Sequence, residues 1–191
     1  METEKIDNKN IYYPPGGILM WILILLELIT FGIALIVLAM SSKENPVAFL
    51  ESSSHLNATY GAVNTVFLLT SGFFMATTVH QFKKKDFKKA SFYLNITMFG
   101  GVLFLILKSL EYYEKIEHGF VLGYDTFFNF YWLLTGFHVI HVLVGLIILL
   151  FMKRSLTKKT AMLEDVEASA AFWHMCDLIW LLLFPILYLV F

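Results

Sequence analysis

The sequence predicts an all-α membrane protein with five transmembrane helices, its amino terminus cytoplasmic and its carboxyl terminus outside. Of 191 residues, 58% are hydrophobic and only 15% are charged, well below the ~25% charge of an average soluble domain. The apolar residues arrive in blocks of roughly 18 or more, long enough to cross a bilayer. The lysines, finally, gather in alternate loops.

Residues 1–16 read as a polar tail that closes on Pro14, Pro15 and Gly16. The tail holds Glu2, Glu4 and Asp7 where a secretory signal would be basic, and the apolar run behind it is a full span. It is therefore expected to be retained. Residues 17–191 form one transmembrane domain, with spans at about 17–40, 56–80, 90–111, 127–151 and 168–191. The second span is the most polar, diluted by Asn57, Asn64, Thr65, Thr70, Ser71, Thr77 and Thr78. Its hydroxyl and amide groups are expected to face other helices. In the fifth span, Pro185 removes a hydrogen bond to the Leu181 carbonyl and should bend the helix near its end. Gly72, Gly100, Gly101, Gly136 and Gly145 are expected to let helix backbones approach closely. Trp132, Trp173, Trp180, Tyr112, Tyr113 and Tyr124 include several near the expected membrane–water interfaces, where aromatic rings prefer to sit.

With five spans, the amino-terminal tail and the loops 81–89 and 152–167 share one side. They hold Lys5, Lys9, Lys83, Lys84, Lys85, Lys88, Lys89, Lys153, Arg154, Lys158 and Lys159 out of 14 basic residues. The positive-inside rule makes that side cytoplasmic. In so short a loop, "KKKDFKK" reads as a topology signal beside anionic lipid and not as a nucleic-acid patch. Cys176 is the single cysteine, which excludes an intramolecular disulfide and any Cys-x-x-Cys metal or redox pair.

Ionisable groups within the spans are the candidates for function, because each is expensive unless paired. Glu27 lies ten residues into the first span, near the bilayer centre. A lone carboxyl there favours its neutral form, either as a proton carrier or gate, or as an acid hydrogen-bonded to a neighbouring helix. Lys108 and Glu111, three apart on one face, are expected to pair near the outer interface, where Lys108 could also snorkel outward. His138 and His141 share a face, as do His174 and Asp177. Asp177 could accept from either span-four imidazole, as support for a metal ligand or as a bond between helices. No Glu-x-x-His occurs in the spans, so a di-iron bundle is not indicated, and His138 and His174 differ in depth for bis-histidine haem. The residues alone thus favour an interhelical polar network of Glu111, His138, His141, His174 and Asp177. A self-sufficient haem or proton-transport protein is the other reading.

Several of these residues stand in a recognisable pattern. "TGFHVIHVLVG", Thr135–Gly145, resembles the Thr-Gly-Phe-His-x-x-His-x-x-x-Gly signature in the sixth helix of the cytochrome c oxidase subunit III family. "FWHMCDLIWLLLF", Phe172–Phe184, is similar to its last-helix pattern of aromatic-Trp-His, then Asp, then Trp. "NTVFLLTSG", Asn64–Gly72, resembles its Asn-Thr-x-x-Leu-x-x-Ser-Ser segment, and "LKSLEYYE", Leu107–Glu114, a segment ending in Glu-Tyr. "LLELITFG", Leu25–Gly32, resembles the Ser-Glu-x-x-x-Phe surroundings of its membrane carboxyl, which places that acid at Glu27. Leu26 stands where the family commonly has Ser, and Val139 where it commonly has Gly. The family's usual form has seven helices. The resemblance aligns these five spans with its last five, so the first two, one arm of a lipid-holding cleft, have no counterpart here.

The resemblance implies a short five-helix bacterial form of subunit III in a haem–copper terminal oxidase of aerobic respiration, in the cytoplasmic (inner) membrane. Such a subunit carries no haem or copper itself; both belong to the partner catalytic subunit. It packs on catalytic subunit I and other oxidase subunits, binds phospholipid and supports proton uptake and stability. The electron donor would be cytochrome c or quinol. Similar short chains accompany nitric oxide reductases, which is the alternative assignment. By the same resemblance, Glu27 is the lipid-cleft or proton-related carboxyl.

Overall fold

The computed structural model describes residues 14–190, so most of the expected 1–16 tail and the terminal Phe191 lie outside the described residues. The elements are α1 (Ile18–Glu44), α2 (Pro46–Ser54), α3 (Ala58–Lys83), α4 (Phe87–Glu117), α5 (Thr126–Lys158) and α6 (Leu163–Tyr188). Among the described residues, five helices are long and apolar enough to cross a membrane: α1, α3, α4, α5 and α6. Each overlaps one of the five apolar stretches of the sequence.

The helices run beyond those spans. Hydropathy marks where lipid ends, whereas backbone hydrogen bonds continue into water until a cap stops them. The Asp86 carboxylate caps α4 by accepting from the Lys89 amide at 3.1 Å. That amide and the Lys89 ammonium hold the Asp86 carboxyl below the usual carboxylate range, so the cap is charged at neutral pH. Asp125 caps α5 through the Phe128 amide at 2.6 Å, and Asn57 caps α3 through Thr59 at 2.9 Å. α6 passes through Pro185 and ends soon after, where the Leu189 and Val190 amides close on the Pro185 carbonyl.

α2 is an addition to the expected architecture, in a stretch read as a plain loop. Pro46 starts it, with a ring that presets the first helical φ. Its buried Phe49 meets Phe127 of α5 edge-on, ring centroids 5.8 Å apart. The Ser52 hydroxyl donates to the Asp125 carboxylate, tying α2 to the cap of α5.

Packing centres on α6, which lies against α1, α3 and α5, while α3 lies along α4. Trp173 of α6 is fully buried and joins four helices. Its indole N–H donates to Ser71 of α3 at 2.9 Å, and the Ser71 hydroxyl donates to the Thr97 carbonyl of α4 at 2.8 Å. Its ring fills space left by two glycines. A Cβ on Gly101 of α4 would stand 2.6 Å from that ring, and one on Gly145 of α5 would stand 2.9 Å from it. Gly136, expected at a close approach, has nothing within 4 Å of a Cβ placed there.

Trp173 and Trp180 therefore sit in the core and not at the interface. Each finds its hydrogen-bond partner on α3, Ser71 and Thr65 respectively, so neither indole needs water. The outward surface carries Leu19, Leu26, Ile36, Phe73, Phe99 and Phe151, a covering suited to lipid or partner helices and not to water.

Trp173→Ala should cost about 3–5 kcal/mol through the cavity it leaves, and Gly101→Val about 1–3 kcal/mol through overpacking. Thermal unfolding in detergent checks both. Transitions at the wild-type temperature would remove Trp173 from its place as the packing centre.

Candidate functional site: a polar network inside the bundle

The densest polar cluster forms where α4, α5 and α6 meet. Lys108 and Glu111, one helical turn apart, pair at 3.0 Å with side chains 1% and 0% exposed. The Lys108 ammonium also donates to the Tyr131 hydroxyl at 3.2 Å and to the Tyr188 hydroxyl at 2.7 Å. Both hydroxyls then donate to the other Glu111 oxygen, at 2.9 Å and 2.6 Å. All three ammonium hydrogens and both phenolic hydrogens are thereby used. The rings of Tyr112, Tyr131, Trp180 and Tyr188 surround the ammonium, their centroids 4.7–5.4 Å from it. The expected pair exists, but it lies inside the bundle and Lys108 does not snorkel outward. Its aromatic box and three acceptors replace water as its solvent.

The polar side of α5 continues from that cluster. Tyr112 donates to Thr135 at 2.9 Å, and Thr135 donates to the Tyr131 carbonyl at 2.6 Å. Next comes His138, fully buried, stacked on Trp180 and edge-on to Phe104, with centroids 5.4 and 5.5 Å apart. Neither of its ring nitrogens meets a protein hydrogen-bond partner among the described residues. His141 follows, and here α5 faces α1. His141 Nε2 stands 3.2 Å from Glu27 Oε2, and His141 Nδ1 stands 2.8 Å from the Phe137 carbonyl oxygen.

A carbonyl only accepts, so Nδ1 keeps its hydrogen. Nε2 is therefore the ring nitrogen that faces the Glu27 carboxyl, as a close approach without hydrogen-bond geometry. With its side chain 24% exposed, Glu27 reaches the rim of the bundle between α1 and α5. The carboxyl thus stands beside a residue of a neighbouring helix.

Asp177 bonds to neither span-four histidine, which corrects the expected link. It faces α3 across Gly72, while His138 faces α4 and α6, and His141 faces α1. Its Oδ2 lies 3.5 Å from His174 Nδ1 on its own helix, and His174 is 44% exposed on the outer surface. The six expected residues thus fall into three places: Glu111 with Lys108, Glu27 with His141 beside His138, and His174 with Asp177. They do not make one continuous network. Among the described residues, no three His, Cys, Asp or Glu side chains gather into a group able to hold a metal ion.

Tyr131 and Tyr188 complete the Lys108 cluster and were not singled out from the sequence. The available signal was a tyrosine on each neighbouring helix at the depth of an i,i+3 ion pair. A second cluster closes the bundle end opposite the lysine-rich turns. There Lys115, 2% exposed, donates to the His55 carbonyl at 2.8 Å and to Glu114 at 3.2 Å.

Comparison with known proteins adds an independent line. Residues 54–190 match the family described as cytochrome c oxidase subunit III. The chain is 26% identical to "Cytochrome c oxidase subunit 3" of Corynebacterium diphtheriae, over 88% of this chain and 85% of that one. It is 27% identical to "Cytochrome bo(3) ubiquinol oxidase subunit 3" of Buchnera aphidicola, over 89% and 84%. It is 28% identical to "Quinol oxidase subunit 3" of Bacillus spizizenii, over 67% and 64%.

Tyr188→Phe removes one hydrogen bond to Glu111 and one acceptor of Lys108, and should cost about 1–3 kcal/mol. Tyr131→Phe should cost a similar amount. Unfolding in detergent with and without each hydroxyl measures this, and an unchanged stability would mean that the cluster is not closed as described.

Proposed function

Since the chain belongs to the cytochrome c oxidase subunit III family, we propose that it is the non-catalytic subunit III of a bacterial haem–copper terminal oxidase. In this reading it packs on catalytic subunit I, which holds the haem and copper, within the cytoplasmic membrane. The amino terminus faces the cytoplasm and the carboxyl terminus faces outside, as the lysine-rich turns indicate. One observation carries the non-catalytic part: the most buried ion pair, Lys108 and Glu111, uses its hydrogen-bonding capacity internally and on two tyrosines. That arrangement leaves the cluster no open face for a substrate. The apolar outer faces of α1, α3 and α4 supply surface for phospholipid and for partner helices.

Glu27 is the residue proposed to matter beyond packing. Paired with His141 at the rim, it is placed to hold a proton at the edge of the bundle and to support proton uptake by the partner. The Lys108 cluster has no such exposure, and its role is to fix α4, α5 and α6.

Purification of the tagged chain in mild detergent should bring down a polytopic, haem-bearing subunit that consumes oxygen. A partner that reduces nitric oxide instead, or a chain that purifies alone with its own Soret band, would overturn the assignment. Within that complex, an apolar carbodiimide should label Glu27, and Glu27→Gln should abolish the label while leaving assembly and haem content intact. Loss of the complex on that change would make Glu27 a packing residue.

A further inference from the structure

The exposed hydroxyls of Thr30 and Ser109 lie within long apolar helices, and each donates to the carbonyl four residues back on its own helix. Neither asks anything of its surroundings. His174 does. Among the described residues its one polar side-chain neighbour is Asp177, whose Oδ2 lies 3.5 Å from Nδ1. Nε2, on the far side of the ring, is left on the exposed surface of α6 with no protein partner.

The depth of that surface makes the arrangement costly. His174 stands near the middle of α6, with about 16 Å of helix before it and about 21 Å after it. Half of a hydrocarbon core is about 15 Å thick, so an imidazole there reaches neither headgroup layer. Hydrocarbon offers no hydrogen-bonding group, and a ring left against it forfeits the bond it would make in water. Asp177 lies on the inner side, in the space that Gly72 of α3 leaves by lacking a side chain. Its Oδ1 is buried and also meets no hydrogen-bond partner among the described residues. The surroundings of His174 are otherwise apolar. Leu178, Leu181 and Leu182 are exposed on the next two turns of α6, and Leu69 and Ala76 are exposed one turn either side of Gly72.

We propose that this strip of α6, centred on His174, seats a transmembrane helix of the haem-bearing partner subunit, and that the helix presents a hydroxyl or amide side chain to His174 Nε2. A hydroxyl or amide both donates and accepts, so it serves the ring in either tautomer. It also brings no second charge into hydrocarbon beside Asp177, as a carboxylate or an ammonium would. The leucines on the following turns supply the packing against that helix. The seat rests on the oxidase reading, which supplies the partner; the unsatisfied imidazole supplies the place.

Crosslinking in native membranes tests the seat. A photoreactive phenylalanine analogue in place of Leu178, one turn from His174, should join the chain to the subunit that carries the haem. His174→Leu should leave the detergent-purified complex about three- to tenfold faster than wild type, and His174→Gln, which keeps a hydrogen-bonding group, should restore most of the retention. Adducts to lipid alone, or to a second copy of this chain, overturn the seat. Release of His174→Leu at the wild-type rate, or of His174→Gln as fast as His174→Leu, overturns it too. Thermal unfolding of the full chain guards against a fault inside the bundle, and faster release that follows a matching loss of the chain's own stability counts against the seat. The two readings fail separately. Absence of any haem-bearing protein from the purified complex refutes the oxidase reading and the seat with it, whereas a haem-bearing partner that copurifies but takes no adduct at Leu178 refutes the seat alone.

Discussion

The bundle depends on how one buried ammonium is kept from water. Moving a charged group of that size out of water costs several kcal/mol even after the surroundings relax. Lys108 is tolerable only because a carboxylate, two hydroxyls and four aromatic rings meet it at one depth. Those groups come from α4, α5 and α6, so the charge can be satisfied only when three helices are in register. α6 is also the helix against which α1 and α3 pack. Fixing its height at Tyr188 fixes Trp180 and Trp173 further along the helix, and through Trp173 the spacing of α3, α4 and α5.

That constraint orders the rest of the polar chemistry. Lys108 and Glu111 are closed on protein partners and His138 is wrapped between Trp180 and Phe104, while the buried Asn64 amide and Asp177 Oδ1 meet no protein hydrogen-bond partner among the described residues. Glu27 and His141 lie at the rim between α1 and α5, and Lys84, Lys85, Lys88 and Lys159 come together at the basic end.

The sequence discloses some of this and hides the rest for physical reasons. Five spans are legible because lipid demands apolar length, and length is visible in one dimension. The overruns of α4 and α5 are not, since they lie mainly at the carboxyl ends, where backbone amides at His118 and at the left-handed Lys159 close on the last turn, which hydropathy ignores. α2 is too short and too polar to announce itself. Lys108 and Glu111 are readable as a pair from their spacing, but not their depth, because a lysine can snorkel as easily as it can be boxed in. The partner of Glu27 depends on α1 lying against α5, a tertiary fact with no local signal. The same is true of Asp177, which turns to α3 because Gly72 opposite it lacks a side chain. The five quoted motifs locate Glu27, Glu111, His138, His141, His174 and Asp177 without saying which of them meet.

The central claim is that the interior charges are matched to each other and to no outside group. A double-mutant cycle on Lys108→Met and Glu111→Leu, read as unfolding free energy in detergent, tests it most directly. Each single change should cost about 3–5 kcal/mol by stranding a buried charge, and the pair together should cost at least ~2 kcal/mol less than the two added. Simple additivity would contradict the account, because it would mean that the two charges answer to something other than one another.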